Sequence, residues 1–140
     1  MLRIELCDWN DARAAASRIR TTVFVEEQRV PPEIEMDDMD AVSVHALAFV
    51  DGKAVGTGRL LPDGHIGRMA VLREARASGV GGAMLERLVE EARRRGFQEA
   101  VLSAQTHALA FYRKHGFEAV GEIYEEAGIP HQEMRRTLNS

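Results

Sequence analysis

Apolar Ile4 and Leu6 alternate with Arg3 and Glu5 up to Cys7, the period-two signature of a short strand. Asp8 and Asn10 follow, either able to cap a helix. Ala12, Ala15, Ala16, Ile19 and Val23 then recur at helical spacing and predict a helix running to about Phe24. From Val30 to Asp40 the pattern breaks. Pro31 and Pro32 stop any helix, and Glu33, Glu35, Asp37, Asp38 and Asp40 crowd acid into one anionic loop. Val44 to Val50 and Lys53 to Leu61 flank Asp51-Gly52, a two-residue hairpin signal, and His65 to Val71 follows a second Asp-Gly pair at Asp63-Gly64. Three consecutive antiparallel strands are predicted. The first is apolar at nearly every position, which places it inside the sheet with both faces covered.

Beyond Val71 the period lengthens. Val80, Met84, Leu85, Leu88, Val89 and Ala92 form one helix face opposite Glu86, Arg87, Glu90, Glu91, Arg93 and Arg94, and Gly96 ends the helix. Arg93 to Arg95 suit the negative helix end as a solvated face, with Glu90 to Arg94 and Glu91 to Arg95 in the favourable orientation for ion pairs. Glu99 to Ser103 reads as a strand, Thr106 to His115 as a short helix closed by Gly116, and Phe117 to Gly121 and Gln132 to Leu138 as final strands. Strands and helices alternate, so the expected class is α/β with a mixed sheet. At 140 residues the expectation is a single domain over 1–140.

A formal charge of -4 argues against broad capture of nucleic acid, although all of the 18 basic residues except Lys53 and Lys114 are arginines, which suit phosphate. No apolar run approaches the roughly 20 residues that span a bilayer, so no membrane association is expected. Glu5 interrupts the apolar start, unlike a secretory signal, and the expected location is the cytoplasm. Cys7 has no second cysteine to pair with and reads as a structural thiol, and no spacing of histidines and carboxylates matches a metal site.

Gly79, Gly81 and Gly82 follow a strand by a short loop and open the long helix, whose first N–H groups and positive dipole end make a place for phosphate. Arg76 stands just before that start, able to add a charge-assisted hydrogen bond. Two known phosphate motifs fail here. A P-loop needs lysine and a hydroxyl where Gly82, Ala83 and Met84 stand, and a Rossmann fingerprint from Gly79 needs its third glycine or alanine at Met84.

The segment Val71-Leu72-Arg73-Glu74-Ala75-Arg76-Ala77-Ser78-Gly79-Val80-Gly81 resembles the Arg/Gln-x-x-Gly-x-Gly/Ala signature of the GNAT acyltransferases, and Gln105-Thr106-His107-Ala108-Leu109-Ala110-Phe111-Tyr112-Arg113-Lys114-His115-Gly116-Phe117 is similar to their Asn-x-x-Ala-x-x-Phe-Tyr-x-x-x-Gly-Phe segment. Ala77 replaces a common glycine, and Gln105 stands where asparagine is frequent. Val23 to Pro31, Gly56 to Leu60, Ile66 to Val71 and Gly128 to His131 resemble the small bacterial ElaA-like branch. The resemblance covers essentially the whole chain. It implies a mixed, mostly antiparallel sheet flanked by helices and splayed at the fourth strand, an acetyl-CoA cosubstrate, and transfer of its acetyl group to a primary amine of a small molecule or peptide. A non-catalytic acyl-CoA-binding regulatory module is the alternative, and Tyr112 favours the enzyme. A homodimer is left open.

By that resemblance the backbone of Met69, Ala70 and Val71 would hold the pantetheine amides and the thioester carbonyl, where main-chain donors also suit the charge that builds in acyl transfer. Arg76, Ala77, Ser78, Gly79, Val80, Gly81 and Gly82 would carry the pyrophosphate, with Gln105 and Phe111 completing the cosubstrate contacts. Tyr112 would hydrogen-bond and protonate the departing sulfur. Attack would be direct, in a ternary complex, because no Ser-His-Asp or Cys-His constellation is evident. An alkylamine is mostly protonated at neutral pH and needs a base. Glu27 is the choice for it over Glu26, Glu122 and a water relay. Glu35, Asp37 and Asp40 are candidates for attracting a cationic amine, and His45, His107 and His131 for orienting it or shuttling a proton. Of these, Glu35, Asp37, His45 and His131 are the preferred acceptor-binding set.

Overall fold

Every segment with a clear period forms the expected element in a computed structural model of the chain, which describes residues 1–32 and 37–138. In order these are β1 (Leu2–Cys7), α1 (Trp9–Arg20), β2 (Val44–Val50), β3 (Lys53–Leu60), β4 (His65–Val71), α2 (Val80–Arg94), β5 (Glu99–Gln105), α3 (Leu109–Lys114), β6 (Glu118–Glu126) and β7 (Ile129–Thr137). The strands form one sheet in the order β1-β2-β3-β4-β5-β7-β6. Neighbours run antiparallel except β4 and β5, which are parallel.

The helices lie on opposite faces of that sheet, as the alternation along β3 shows. A side chain at Gly56 or Gly58 would run into Met84 or Leu88 of α2, whereas Arg59, one residue on, reaches through Asp40 to Arg20 of α1. The apolar face read for α2 is the one buried: Val80, Met84, Leu85, Leu88, Val89 and Ala92. Each large side chain there contributes about 1.5–3 kcal/mol by leaving water. Ala46, Leu47 and Ala48 of β2 are covered on both faces, Leu47 beneath Ala12 and Ala16 of α1.

Several boundaries differ from the expectation, each for a physical reason. Asp8, not Asn10, caps α1, its carboxylate accepting the Asp11 N–H at 3.0 Å. The α-helix stops at Arg20 and continues as a wider π-helical segment over Thr21–Glu27, closed by the Gln28 N–H on the Val23 carbonyl at 3.1 Å. Strands β6 and β7 extend to Glu126 and from Ile129, around a tight turn at Ala127 and Gly128 with φ 54 and 76. Pro130 is tolerated in β7 because β5 has ended beside it, leaving a neighbour on one side only. At the end of α2, Glu91 takes both Arg94 and Arg95, and Glu90 pairs with Arg93 instead of Arg94.

The acidic stretch is not simply a solvated loop. Asp40 is 2% exposed and accepts from Arg20 at 2.9 and 3.0 Å and from Arg59 at 2.9 Å. Asp37 accepts from Arg59 at 2.7 and 2.8 Å and from Arg68 at 3.2 Å. Carboxylates and guanidiniums thus alternate from α1, across β3, to β4.

Candidate active site

Two adjacent strands that stop pairing create the cleft. Strands β4 and β5 are in register only at His65 with Val101 and Ile66 with Leu102. Beyond that point the backbone from Gly67 to Val71 has β3 on one side and the cleft on the other. A bulge sharpens the opening: between the pairs Thr57 with Ala70 and Arg59 with Gly67, β4 carries one residue more than β3. Arg68 takes φ 51 there, a left-handed conformation that turns the strand locally. Glycine stands opposite at position 58, where a Cβ would lie 2.5 Å from Met69 Sδ and 3.1 Å from Leu88 Cδ1 and would displace the Met69 side chain. Arg68 is tied to Asp37, so the ladder of ion pairs reaches the bulge.

The cavity between the splayed strands measures about 620 Å³. Met69, Ala70, Val71 and Arg76 line one side, Gln105, His107 and Tyr112 the other, and Phe24, Glu27 and Gln28 reach in from the π-helical segment. The widened helical turn is what presents both Phe24 and Glu27 to the same space. Gln28 and Gln105 exchange side-chain amide hydrogen bonds of 2.9 and 3.2 Å, joining that segment to the end of β5, and His107 Nε2 lies 2.6 Å from Gln105 Oε1.

From Arg76 the chain continues along an exposed shelf to the start of α2. Ala77 and Gly79 have φ 62 and 85, and Ser78 Oγ donates to the Ala75 carbonyl at 2.5 Å. No side chain caps α2, and its first intrahelical bond is the Ala83 N–H to Gly79 O, so the N–H groups of Val80, Gly81 and Gly82 have no acceptor within the helix. That is the donor set an anionic phosphate needs. Arg76 gives Nε to Val71 O at 2.9 Å and a terminal nitrogen to Glu27 at 2.9 Å. Glu27 also faces Arg73 at 3.6 Å. Its carboxylate thus pairs with two guanidiniums, with Arg76 by a hydrogen bond and with Arg73 at longer range.

Helix α3 brings Tyr112 to the cavity and Phe111 against α2. Phe111 Cζ would be 3.5 Å from a Cβ on Gly81, and its ring meets Tyr112 edge-on at 5.0 Å. Burial alone pushes the Tyr112 phenol up to about 12, so it stays a hydrogen-bond donor throughout the physiological range. Against a thiolate near 8.5, full proton transfer is uphill by about 5 kcal/mol, a larger gap than an ordinary phenol would face.

The hairpin of β6 and β7 closes the far end with Glu126, Ala127, Ile129 and His131. His131 is 6% exposed, stacked on Tyr124, whose hydroxyl bonds Ser103 of β5.

Of the expected residues, the structure thus brings Met69, Ala70, Val71, Arg76, Gln105, Tyr112, Glu27 and His131 to one cavity. Ala77 to Gly82 form the adjoining shelf, and Phe111 supports it. Two acceptor-binding expectations land elsewhere. His45 is 1% exposed, bonded through Nε2 to the Asp40 carbonyl at 2.9 Å and packed on Trp9, and burial lowers its basicity. Asp37 is spent on Arg59 and Arg68; the Arg59 hydrogen bonds first, and then the charges of both guanidiniums, hold its carboxyl down to about 2. Glu35 lies outside the described residues. Cys7 is partly buried, its thiol pushed up by burial and by Asp11, Glu5 and Asp8. Residues not anticipated for the site are Arg68, Phe24, Gln28, Ser103 and Glu126. A π-helical turn and a bulge in β4 place the first three, and neither has a sequence period; the long β6–β7 hairpin places Glu126.

The chain matches the acetyltransferase (GNAT) domain family over residues 13–138. It is 39% identical over 122 residues to the uncharacterized N-acetyltransferase YjcF of Bacillus subtilis, covering 84% of this chain and 87% of that one. Protein ElaA of Escherichia coli is 34% identical over 132 residues, covering 89% and 86%. Among solved structures, an acyl-CoA N-acyltransferase from Pseudomonas aeruginosa superposes with a TM-score of 0.86 at 36% identity, over 98% of this chain and 100% of that one. No described helix is long and apolar enough to cross a membrane. With an acyl-CoA as cosubstrate, the chain is an N-acyltransferase of the GNAT family and belongs to its ElaA-like branch.

Proposed function

We propose that the protein transfers the acetyl group of acetyl-CoA directly to a primary amine of a small molecule or peptide, both substrates being bound together. The observation that carries this reading is the cleft itself: bulged β4 backbone on one wall, the Tyr112 phenol on the other, and the uncapped start of α2 at one end. Arg76 and the N–H groups of Val80, Gly81 and Gly82 take the pyrophosphate. The backbone of Met69, Ala70 and Val71 aligns the pantetheine arm and offers N–H donors to the thioester oxygen as negative charge develops. Tyr112 donates to the leaving sulfur. Its raised basicity favours stabilising the thiolate by hydrogen bonding first, with the proton following.

Isothermal titration with acetyl-CoA and CoA tests the cosubstrate half of the proposal. Micromolar binding is expected for the native protein. Gly81→Trp fills the space beneath Phe111 and should abolish binding, and Arg76→Ala should weaken it about tenfold or more. Unchanged binding in both variants would move the site elsewhere. Thiol release with a panel of primary amines then reads transfer, and intersecting initial-rate patterns, as opposed to parallel ones, mark the ternary complex.

A further inference from the structure

His131 makes a hydrogen bond whose direction fixes the state of its ring. Nδ1 lies 2.7 Å from the Ile129 carbonyl oxygen, and a carbonyl only accepts. Nδ1 therefore carries the proton, and in the neutral ring the lone pair sits on Nε2. That nitrogen is 3.8 Å from Glu126 Oε2, within ion-pair reach and too far for a hydrogen bond. Both residues line the cavity. The ring is stacked on Tyr124 at 6.1 Å, with the planes 21° apart, so its orientation is set by packing.

The other charged or titratable groups around the cavity have different commitments. Glu27 is paired with Arg73 and Arg76, and Arg68 with Asp37. His107 also gives a ring nitrogen to an oxygen, Gln105 Oε1 at 2.6 Å, but it lies exposed and, among the described residues, forms no ion pair with a carboxylate. His131, directly across from Gln105 in the β5–β7 register, is buried beside Glu126. Tyr124 of β6 is bonded to Ser103. We infer that His131 is the general base that takes a proton from the acceptor ammonium, with Glu126 as the positioning counter-charge and Glu27 as an anchor for Arg76. The inference rests on the acetyltransferase reading above. The acceptor enters as R–NH3⁺ and gives one proton to Nε2. Its freed lone pair forms the N–C bond to the thioester carbonyl carbon, and the C–S bond breaks with its electrons leaving on sulfur. The second nitrogen proton ends on the CoA thiol, and His131 returns the first to solvent, so the products are the amide, CoA and one proton.

Two measurements test this. On the native protein, ¹⁵N NMR of the His131 ring should show the neutral form protonated at Nδ1, the minority tautomer of free imidazole side chains; a proton on Nε2 would overturn the assignment. Thiol release is then followed with acetyl-CoA and two probe amines. One is 2-phenylethylamine, an ammonium at neutral pH, and the other is methoxyamine, which is unprotonated there. For His131→Gln, kcat with 2-phenylethylamine should fall about a hundredfold. KM for acetyl-CoA should stay unchanged and the methoxyamine rate should stay within threefold. The residual rate should climb about tenfold per pH unit as the free amine appears, and added imidazole should restore turnover to His131→Gly. Equal loss on both probes would mean a structural role. Loss with 2-phenylethylamine in Glu27→Gln but not in His131→Gln would return the base to Glu27. Native protein that acts on methoxyamine alone also counts against the inference. If the native protein binds acetyl-CoA yet releases thiol with neither amine, the acetyltransferase reading fails and this inference with it.

Discussion

The two walls of the cleft are built from different materials. The β4 wall and the adjoining shelf work through main chain: a bulge at Arg68, left-handed turns at Ala77 and Gly79, and three helix N–H groups without intrahelical acceptors. The far wall works through side chains: Tyr112 from α3, Gln105 from β5, Glu126 and His131 from the β6–β7 hairpin. Main-chain recognition suits a cosubstrate that is always the same, because it needs little of the sequence beyond glycines and a fold. Side-chain recognition on a hairpin suits an acceptor, because substitutions there alter the chemistry without disturbing the sheet. On the proposed reading the main chain holds the cosubstrate and the hairpin side chains meet the acceptor, while Tyr112 and Gln105 belong to the segment that resembles the family's own.

The far wall offers the largest effect. Tyr112→Phe removes a donor without altering the packing against Phe111 and Phe117, whose rings lie 5.0 and 6.1 Å away. Turnover should fall about ten- to a hundredfold while CoA affinity, which the proposed function assigns chiefly to the other wall, stays within about twofold. An equal loss in both would show that the walls do not act independently.

The same division explains what was legible in the sequence. In the near wall, glycines at a helix start single out Arg76 to Gly82 from the residues alone, whereas Met69 to Val71 come only from the family resemblance. Tyr112 and Gln105 follow from a local motif. His45 misleads because a histidine in an apolar strand has the same local pattern whether it faces a cleft or the core, and burial beneath Trp9 is a tertiary fact. Asp37 and Asp40 mislead for a related reason. Their partners Arg20, Arg59 and Arg68 are 19 to 31 positions away, and nothing periodic links them. The π-helical turn at Thr21–Glu27 inserts Phe24 and Glu27 into the cavity by a change of helical pitch that an apolar period of 3.6 does not register.

The ladder of ion pairs provides the next test, because it supports the main-chain wall with side chains. Asp37 is held at about 2 in the folded state against an ordinary 3.8. A lowered carboxyl stabilises the fold above its unfolded value and loses that contribution as pH falls from about 4 through about 2. The shift corresponds to about 2 kcal/mol at most, and the partial exposure of Asp37 screens it toward about 1 kcal/mol. Asp37→Asn should lower stability at pH 7 by that amount and flatten the acid limb of a pH-dependent urea titration between pH 4 and pH 2. His45 acts earlier. Its neutral form is favoured by burial, so the stability it supports is present above about 6.5 and declines as pH drops below that value, a limb that Asp37→Asn should leave intact. Because the ladder reaches Arg68 in the bulge, Asp37→Asn should also raise KM for acetyl-CoA; an unchanged KM would show that the bulge holds its shape without Asp37.

The smallest expected effect bears on the main-chain wall most directly. Ala77 holds φ 62 on the shelf, a conformation that costs a residue with a Cβ roughly 1–2 kcal/mol and glycine almost nothing. Glycine also gives the unfolded chain more freedom, which takes back about 0.4–1 kcal/mol. Ala77→Gly should therefore stabilise the protein by about 0.5–1 kcal/mol, seen as a higher urea midpoint at constant m-value. If the shelf binds pyrophosphate through its N–H groups, the backbone is the same in both proteins and CoA affinity should change by less than about twofold. A gain in stability accompanied by a loss of affinity would mean that the Ala77 side chain, or the rigidity it imposes on the turn, takes part in binding, and the near wall would no longer be a main-chain site alone.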